Sequence, residues 1–189
     1  MEITPDEIVE DLSDLSIAIV HLLYAGGTTA VRGKVRFQKE LFLIADYIEK
    51  IGEDAQFIPH IFGPYSESAE ISLDELISLG LVRKSGTDYT LTPEGVQVWK
   101  MIRDSFSEDD LEAIEDYKAF LNDLNLDEIL LFVYVTYPNY TQESARFREI
   151  LLKRVPLAAS LYRKGKISLE KAAYLAGQNI ETFLDSLKR

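Results

Sequence analysis

The run Leu81-Val82-Arg83-Lys84-Ser85-Gly86-Thr87-Asp88-Tyr89-Thr90-Leu91-Thr92-Pro93-Glu94 carries two signals at once. Two short extended segments flank Ser85-Gly86-Thr87, a tight glycine turn, so 81–91 predicts a β-hairpin. Thr92-Pro93-Glu94 then supplies an N-cap and a first-position proline, which predicts a helix to about Arg103. Upstream, Ser66 is a helix cap for a segment reaching Leu79, with Ala69, Leu73, Leu76 and Ile77 facing inward. A helix from about Lys34 to Ile51 precedes it, because Phe37, Leu41, Ile44, Ala45 and Ile48 recur at three- and four-residue steps, and Gly52 is read as its end.

At the start of the chain, Thr4-Pro5-Asp6-Glu7 reads as a capping box. One helix is expected from there to Gly26-Gly27, carrying Leu12, Leu15, Ile19, Leu22 and Leu23 on one stripe. Helix, helix, helix, hairpin, helix is the layout of a winged-helix domain with the hairpin as wing. The expected fold class is therefore mainly α (α+β). A winged-helix-like domain covers 1–104, and a helical region at 105–189 ends in a helix-turn-helix hairpin at 164–189.

The later segments follow the same logic. Ser107 caps a helix with acids in its first turn, where they complement the positive helix end. Helices are expected at 126–134, 144–154, from Pro156 to Arg163, 168–176 and 180–188. In the last hairpin, Ala173 and Gly177 allow close approach, with Ala172, Ala176, Ile180, Phe183 and Leu187 as the buried seam.

The chain has 189 residues, 20 Lys+Arg and 32 Asp+Glu, a net charge of −12, and no cysteine. Absence of Cys excludes disulfides and thiolate metal sites, and two His cannot form a multi-His centre. The acidic Met1–Glu10 stretch is no secretory n-region and there is no 18-residue apolar run, so a cytoplasmic chain is expected. The charge is unevenly spread: residues 1–26 hold six acids and no base, and 27–103 hold nine bases against eleven acids. Residues 104–143 hold one base against eleven acids, whereas 144–189 hold ten bases against four. The −10 and +6 segments should attract, and the chain as a whole should repel DNA.

Gly33-Lys34-Val35-Arg36-Phe37-Gln38-Lys39-Glu40-Leu41-Phe42, then Gly63-Pro64-Tyr65-Ser66, Leu73–Val82 and Tyr89-Thr90-Leu91-Thr92-Pro93-Glu94-Gly95, occur in this order. Together they resemble the Panacea (SocA-like) antitoxin-type domain and the related YwgA-like proteins. That resemblance spans about 27–140, because Asp127–Tyr134 with Tyr137-Pro138 is similar to the second half of YwgA-like chains. Lys164–Gly177 resembles the C-terminal end of the UPF0175 family of small antitoxin-type proteins. The resemblances imply a regulatory or toxin-antidote role without catalysis.

Two groups are candidates for partner binding. Arg32, Arg36 and Lys39 fall on one face at the start of a helix, facing either an acidic partner or the chain's own 104–143 acids. Phe62-Gly63-Pro64-Tyr65 is a rigid turn that presents Phe62 and Tyr65 either as anchors or as core. For the alternative of DNA binding, the cations are Arg83 and Lys84 in the wing and Arg163, Lys164, Lys166 and Lys171 near the C-terminus. The helix in the recognition position carries Glu67, Glu70, Asp74 and Glu75 with no base, which opposes groove insertion. No nucleophile-elbow, zincin, P-loop or dinucleotide motif is present, so no enzyme activity, metal or cofactor is expected. The expected function is a non-enzymatic interaction protein of the antitoxin kind, its acidic surface meeting a protein partner such as a cognate toxin, or a second copy. A dimeric winged-helix regulator is the alternative.

Overall fold

The computed structural model describes residues 5–188, so the expected Thr4 cap lies outside the described residues. The single N-terminal helix is in fact two, α1 (Pro5–Asp11) and α2 (Asp14–Thr28). Ser13 makes the break: its backbone is extended and its Oγ accepts from the Ser16 amide at 3.1 Å, which starts a new helix. α2 leaves helical geometry at Ala25, and Gly26, Gly27 and Thr28 all take positive φ. The next expected helix also divides, into α3 (Lys34–Tyr47) and α4 (Glu49–Ala55), at the extended Ile48. Gly52 does not end a helix; it sits inside α4, where a Cβ would lie 2.8 Å from the Ala45 carbonyl oxygen.

α5 (Glu67–Ser78) and α6 (Pro93–Ile102) start where expected, with Ser66 and Thr92 accepting from the Ala69 and Gly95 amides. The hairpin forms as β2 (Val82–Ser85) and β3 (Asp88–Leu91). β3 also pairs with β1 (Val31–Arg32), giving an antiparallel sheet in the order β1-β3-β2. The register sets Val31 opposite Tyr89 and Val82 opposite Leu91. A two-residue strand is too short to show a period, which is why β1 was not expected. The fold is mainly helical with this small sheet, and the hairpin is preceded by α1 to α5 and β1 where three helices were expected.

Leu22, Leu23, Phe37, Leu41, Ile44, Leu73 and Leu76 are buried in one core, each contributing about 1.5–3 kcal/mol of apolar burial. Gln38 ties two distant motifs together: its side-chain amide accepts from the Ser66 N–H and donates to the Ser66 carbonyl, both at 2.9 Å. These two hydrogen bonds hold the start of α5 against α3.

The chain forms two compact units. The first comprises residues to Phe57 with Ser66–Asn122, and the second Ile58–Tyr65 with the residues from Asp123 onward. The division is therefore at 122/123, not at the composition change of 104/105. The reason is α7 (Glu108–Asn122), whose Ile114, Lys118 and Leu121 are buried. Ser107 starts α7 as expected, accepting from the Asp110 amide at 3.1 Å.

The second unit contains α8 (Leu126–Thr136), α9 (Phe147–Leu152), α10 (Arg154–Arg163), α11 (Leu169–Ala176) and α12 (Ile180–Leu187). Pro156 lies in the first turn of α10, where a missing N–H is tolerated, so the break falls at Lys153 instead. The 58–65 turn closes on itself through paired Ile58 and Tyr65 backbone bonds of 2.9 Å, and the Ile61 carbonyl accepts from the Ala145 amide at 3.1 Å. In the α11–α12 hairpin, Ala172, Ala176 and Phe183 are buried as expected, but Ile180 is exposed and Leu187 half-buried. Gly177 is left-handed at φ 67° and ends α11, and the Arg154 guanidinium packs where its Cβ would be. From there Arg154 donates to the Leu175 and Tyr174 carbonyls at 2.7 and 3.2 Å, closing that helix end.

Candidate functional site

α7 is anchored on one side and open on the other. On its inner side, Lys118 Nζ donates to the carbonyls of Leu23 and Ala25 at 3.2 and 2.7 Å. Those oxygens lose helical partners where α2 unwinds, so the ammonium acts as their cap. One turn earlier, the Glu115 carboxylate accepts from the Gly26 amide at 2.7 Å. At the far end, the Arg36 guanidinium donates to the Leu121 carbonyl.

Beneath this attachment lie ionisable groups at high cost. The Glu40 carboxyl is fully buried, and neither oxygen has a hydrogen-bond partner among the described residues. Burial pushes it up to about 8 against the pull of Arg36 and Lys118, so it is protonated at neutral pH. Burial pushes Lys118 down to about 8 despite Glu40 and Glu115, and Lys39 down to about 7.

The outer side of α7 presents Asp109, Glu112 and Asp116, at i, i+3 and i+7, on one face. With Ala113 and Tyr117 they line an open cleft of about 410 Å³, whose opposite wall is Tyr47 at the end of α3. Tyr47 is 53% exposed, and its ring meets Tyr117 edge-on, with centroids 6.5 Å apart. Burial first, then the nearby Asp46 and Tyr47, hold the Tyr117 phenol above its ordinary value. Among the described residues, Asp109, Glu112 and Asp116 form no ion pair, and no base lines the cleft.

The residues expected to bind a partner are placed differently. Arg32 is exposed, Arg36 is half-buried on the Leu121 carbonyl, and Lys39 is 1% exposed. They do not form a basic face: Arg32 lies in β1, before the helix begins, and the side of α3 that carries Arg36 and Lys39 turns inward. Phe62 and Tyr65 belong to the second unit. Phe62 is exposed at the turn, and Tyr65 is half-buried and stacked on His60 at 4.6 Å.

Of the cations expected for DNA, Arg83 and Lys84 are exposed on the wing. The C-terminal four have internal bonds instead. Arg163 donates to the Leu187 carbonyl at 3.1 Å, and Lys164 to Glu128 at 2.7 Å and the Asp123 carbonyl at 3.0 Å. Lys166 pairs with Asp123, and Lys171 donates to Thr136 at 3.0 Å while lying near the Phe132 and Tyr174 rings. On α5, Glu67, Asp74 and Glu75 are exposed, and Glu70 is bonded to Lys34.

No protein-family model, curated protein or solved structure matches this chain. Among the described residues, no helix is long and apolar enough to cross a membrane, and no three His, Asp or Glu side chains converge to hold a metal ion. The α3–α7 cleft was not expected from the sequence, where Glu108-Asp109-Asp110 reads as a solvated helix start. The available signal was the spacing of Asp109, Glu112 and Asp116 beside Tyr117. What hid it was Tyr47, 62 residues from Asp109 and brought there only by packing of α3 on α7.

Proposed function

We propose that this protein is a non-enzymatic regulator of the antitoxin kind, which binds a protein partner through the negative surface of its first unit. One observation carries the reading: the acids at 104–143 are treated in two ways. Asp123, Asp127 and Glu128 are met by Lys166, by Arg146 and Lys153, and by Lys164. Asp109, Glu112 and Asp116 are left facing solvent beside two tyrosines. An unneutralised anionic cleft with an aromatic wall is suited to a cationic segment of another polypeptide. The Panacea-like and UPF0175-like stretches support a regulatory rather than a catalytic role.

Recovery of the chain from native extract tests this. The expected result is a stoichiometric partner that dissociates as salt is raised. Recovery of the chain alone, at low salt and from cells that express it naturally, contradicts it.

The DNA-binding alternative is favoured by the exposed Arg83 and Lys84 at the wing. Against it, α5 exposes Glu67, Asp74 and Glu75 and carries no base, which would repel a phosphate backbone, and the C-terminal cations are internally bonded. A specific band shift with the chain's own upstream DNA at low salt decides in its favour.

A further inference from the structure

We propose that the cleft between Tyr47 and α7 seats an arginine side chain of the partner, stacked on Tyr47 and bonded by the α7 carboxylates. This rests on the protein-binding reading above and assigns its contact point.

Three features of the cleft select the occupant. Tyr47 leaves half its surface open and lines the cleft together with the small Ala113, so a flat group can lie against the ring. The ring faces carry negative potential, which favours a cation there over an apolar or anionic group. Glu112 and Asp116 stand one turn apart on α7, on the same face, and both line the cleft. A guanidinium is planar and can stack on a ring while donating two parallel bonds to a carboxylate, whereas an ammonium is a compact, strongly hydrated point charge. The chain's own nearby cations do not fill the cleft, since Arg36 and Lys118 are directed at backbone carbonyls of α7 and α2. Those same bonds fix α7, so the carboxylates are held before the partner arrives and less ordering is required on binding.

The test uses two blocked pentapeptides, Gly-Arg-Gly-Arg-Gly and its lysine twin, titrated against the full chain at low ionic strength. The arginine peptide should bind about three- to fivefold tighter than the lysine peptide, and Tyr47→Ala should erase that margin. Glu112→Gln with Asp116→Asn should weaken both peptides, while Tyr47→Phe should keep the preference. Equal affinity for the two peptides, or a preference that survives Tyr47→Ala, overturns the assignment. The native-extract recovery, repeated with Tyr47→Ala, separates the two levels. A partner retained equally by wild type and variant removes the cleft and leaves the protein-binding reading. No partner with wild type removes that reading itself.

Discussion

Two acidic helices, α7 in the first unit and α8 in the second, use their carboxylates in opposite ways. α8 opens with a capping box in which Asn125 and Glu128 exchange bonds of 3.0 and 2.8 Å. Glu128 is fully buried and also accepts from Lys164 at 2.7 Å and Ser160 at 2.6 Å. Burial alone would raise its carboxyl; the donors from Lys164, Ser160 and Asn125 win and hold it below the usual range. On α7 only Glu115 and Asp110 among the acids serve the backbone. Among the described residues, the outer row makes no ion pair. The acids that hold the second unit together collect donors, and the outer acids of α7 are left facing solvent.

The largest expected effect tests the α8 side. Glu128→Ala takes one acceptor from Lys164, which keeps the Asp123 carbonyl, and removes the acceptor of Ser160 and half of the capping box, so it should destabilise by about 3–4 kcal/mol, read as a lower urea midpoint. An unchanged midpoint would mean that the second unit does not depend on this carboxylate.

The next effect lies in the first unit's core and is driven by pH. His21 Nδ1 accepts from the Trp99 indole at 3.2 Å, and Nε2 donates to the Ile102 carbonyl at 3.3 Å. That arrangement requires neutral imidazole, and burial pulls His21 down to about 4 despite the Ile102 bond. Because the folded value lies below the ordinary 6.5, this stability is complete above pH 6.5 and is lost as pH falls to 4, by up to about 3 kcal/mol. Trp99 is the only tryptophan, so its fluorescence during urea titrations at several pH values reports the loss. His21→Phe should flatten the pH dependence in this window.

Glu40 gives the opposite slope. Its folded value of about 8 lies above the ordinary 4.5, so ionisation favours the unfolded chain as pH rises between the two. Glu40→Gln should therefore be more stable than wild type at pH 7, by roughly 3 kcal/mol, and nearly equal at pH 4.5. Chemical denaturation at both values checks the sign.

The smallest effect separates the helices most cleanly. Asp127 binds Arg146 at 2.9 Å and Lys153 at 3.2 Å, both shared with Glu149, and Asp127→Lys should cost about 1 kcal/mol. Glu112→Lys, on the outer row of α7, should shift stability by less than about 0.5 kcal/mol. Equal costs at the two sites would dissolve the contrast.

Much of the fold was legible because it is written locally. Ser66 and Thr92 announce helix starts by side-chain chemistry, and the 85–87 turn announces the hairpin. Ser13 and Ile48 were missed because the apolar stripe continues across both breaks, and only the backbone changes direction. At the site, Arg36 and Lys39 were read as facing an acidic partner or the chain's own 104–143 acids, whereas Arg36 meets the Leu121 carbonyl and Lys39 is buried, because sequence spacing says which residues share a side, not which way that side points. The attraction between the 104–143 acids and the C-terminal cations was legible from net charge. Its restriction to Asp123, Asp127 and Glu128 depends on tertiary contacts.

The central claim is that a cationic segment recognises the outer row of α7 and ignores the acids of α8. Amide chemical shifts followed during titration of the full chain with the arginine pentapeptide test it most directly. The account predicts changes confined to Tyr47 and its neighbours and to residues 109–117, abolished by Glu112→Gln with Asp116→Asn. Shifts centred on 123–128, or spread evenly over every exposed carboxylate including those of α5, would contradict it.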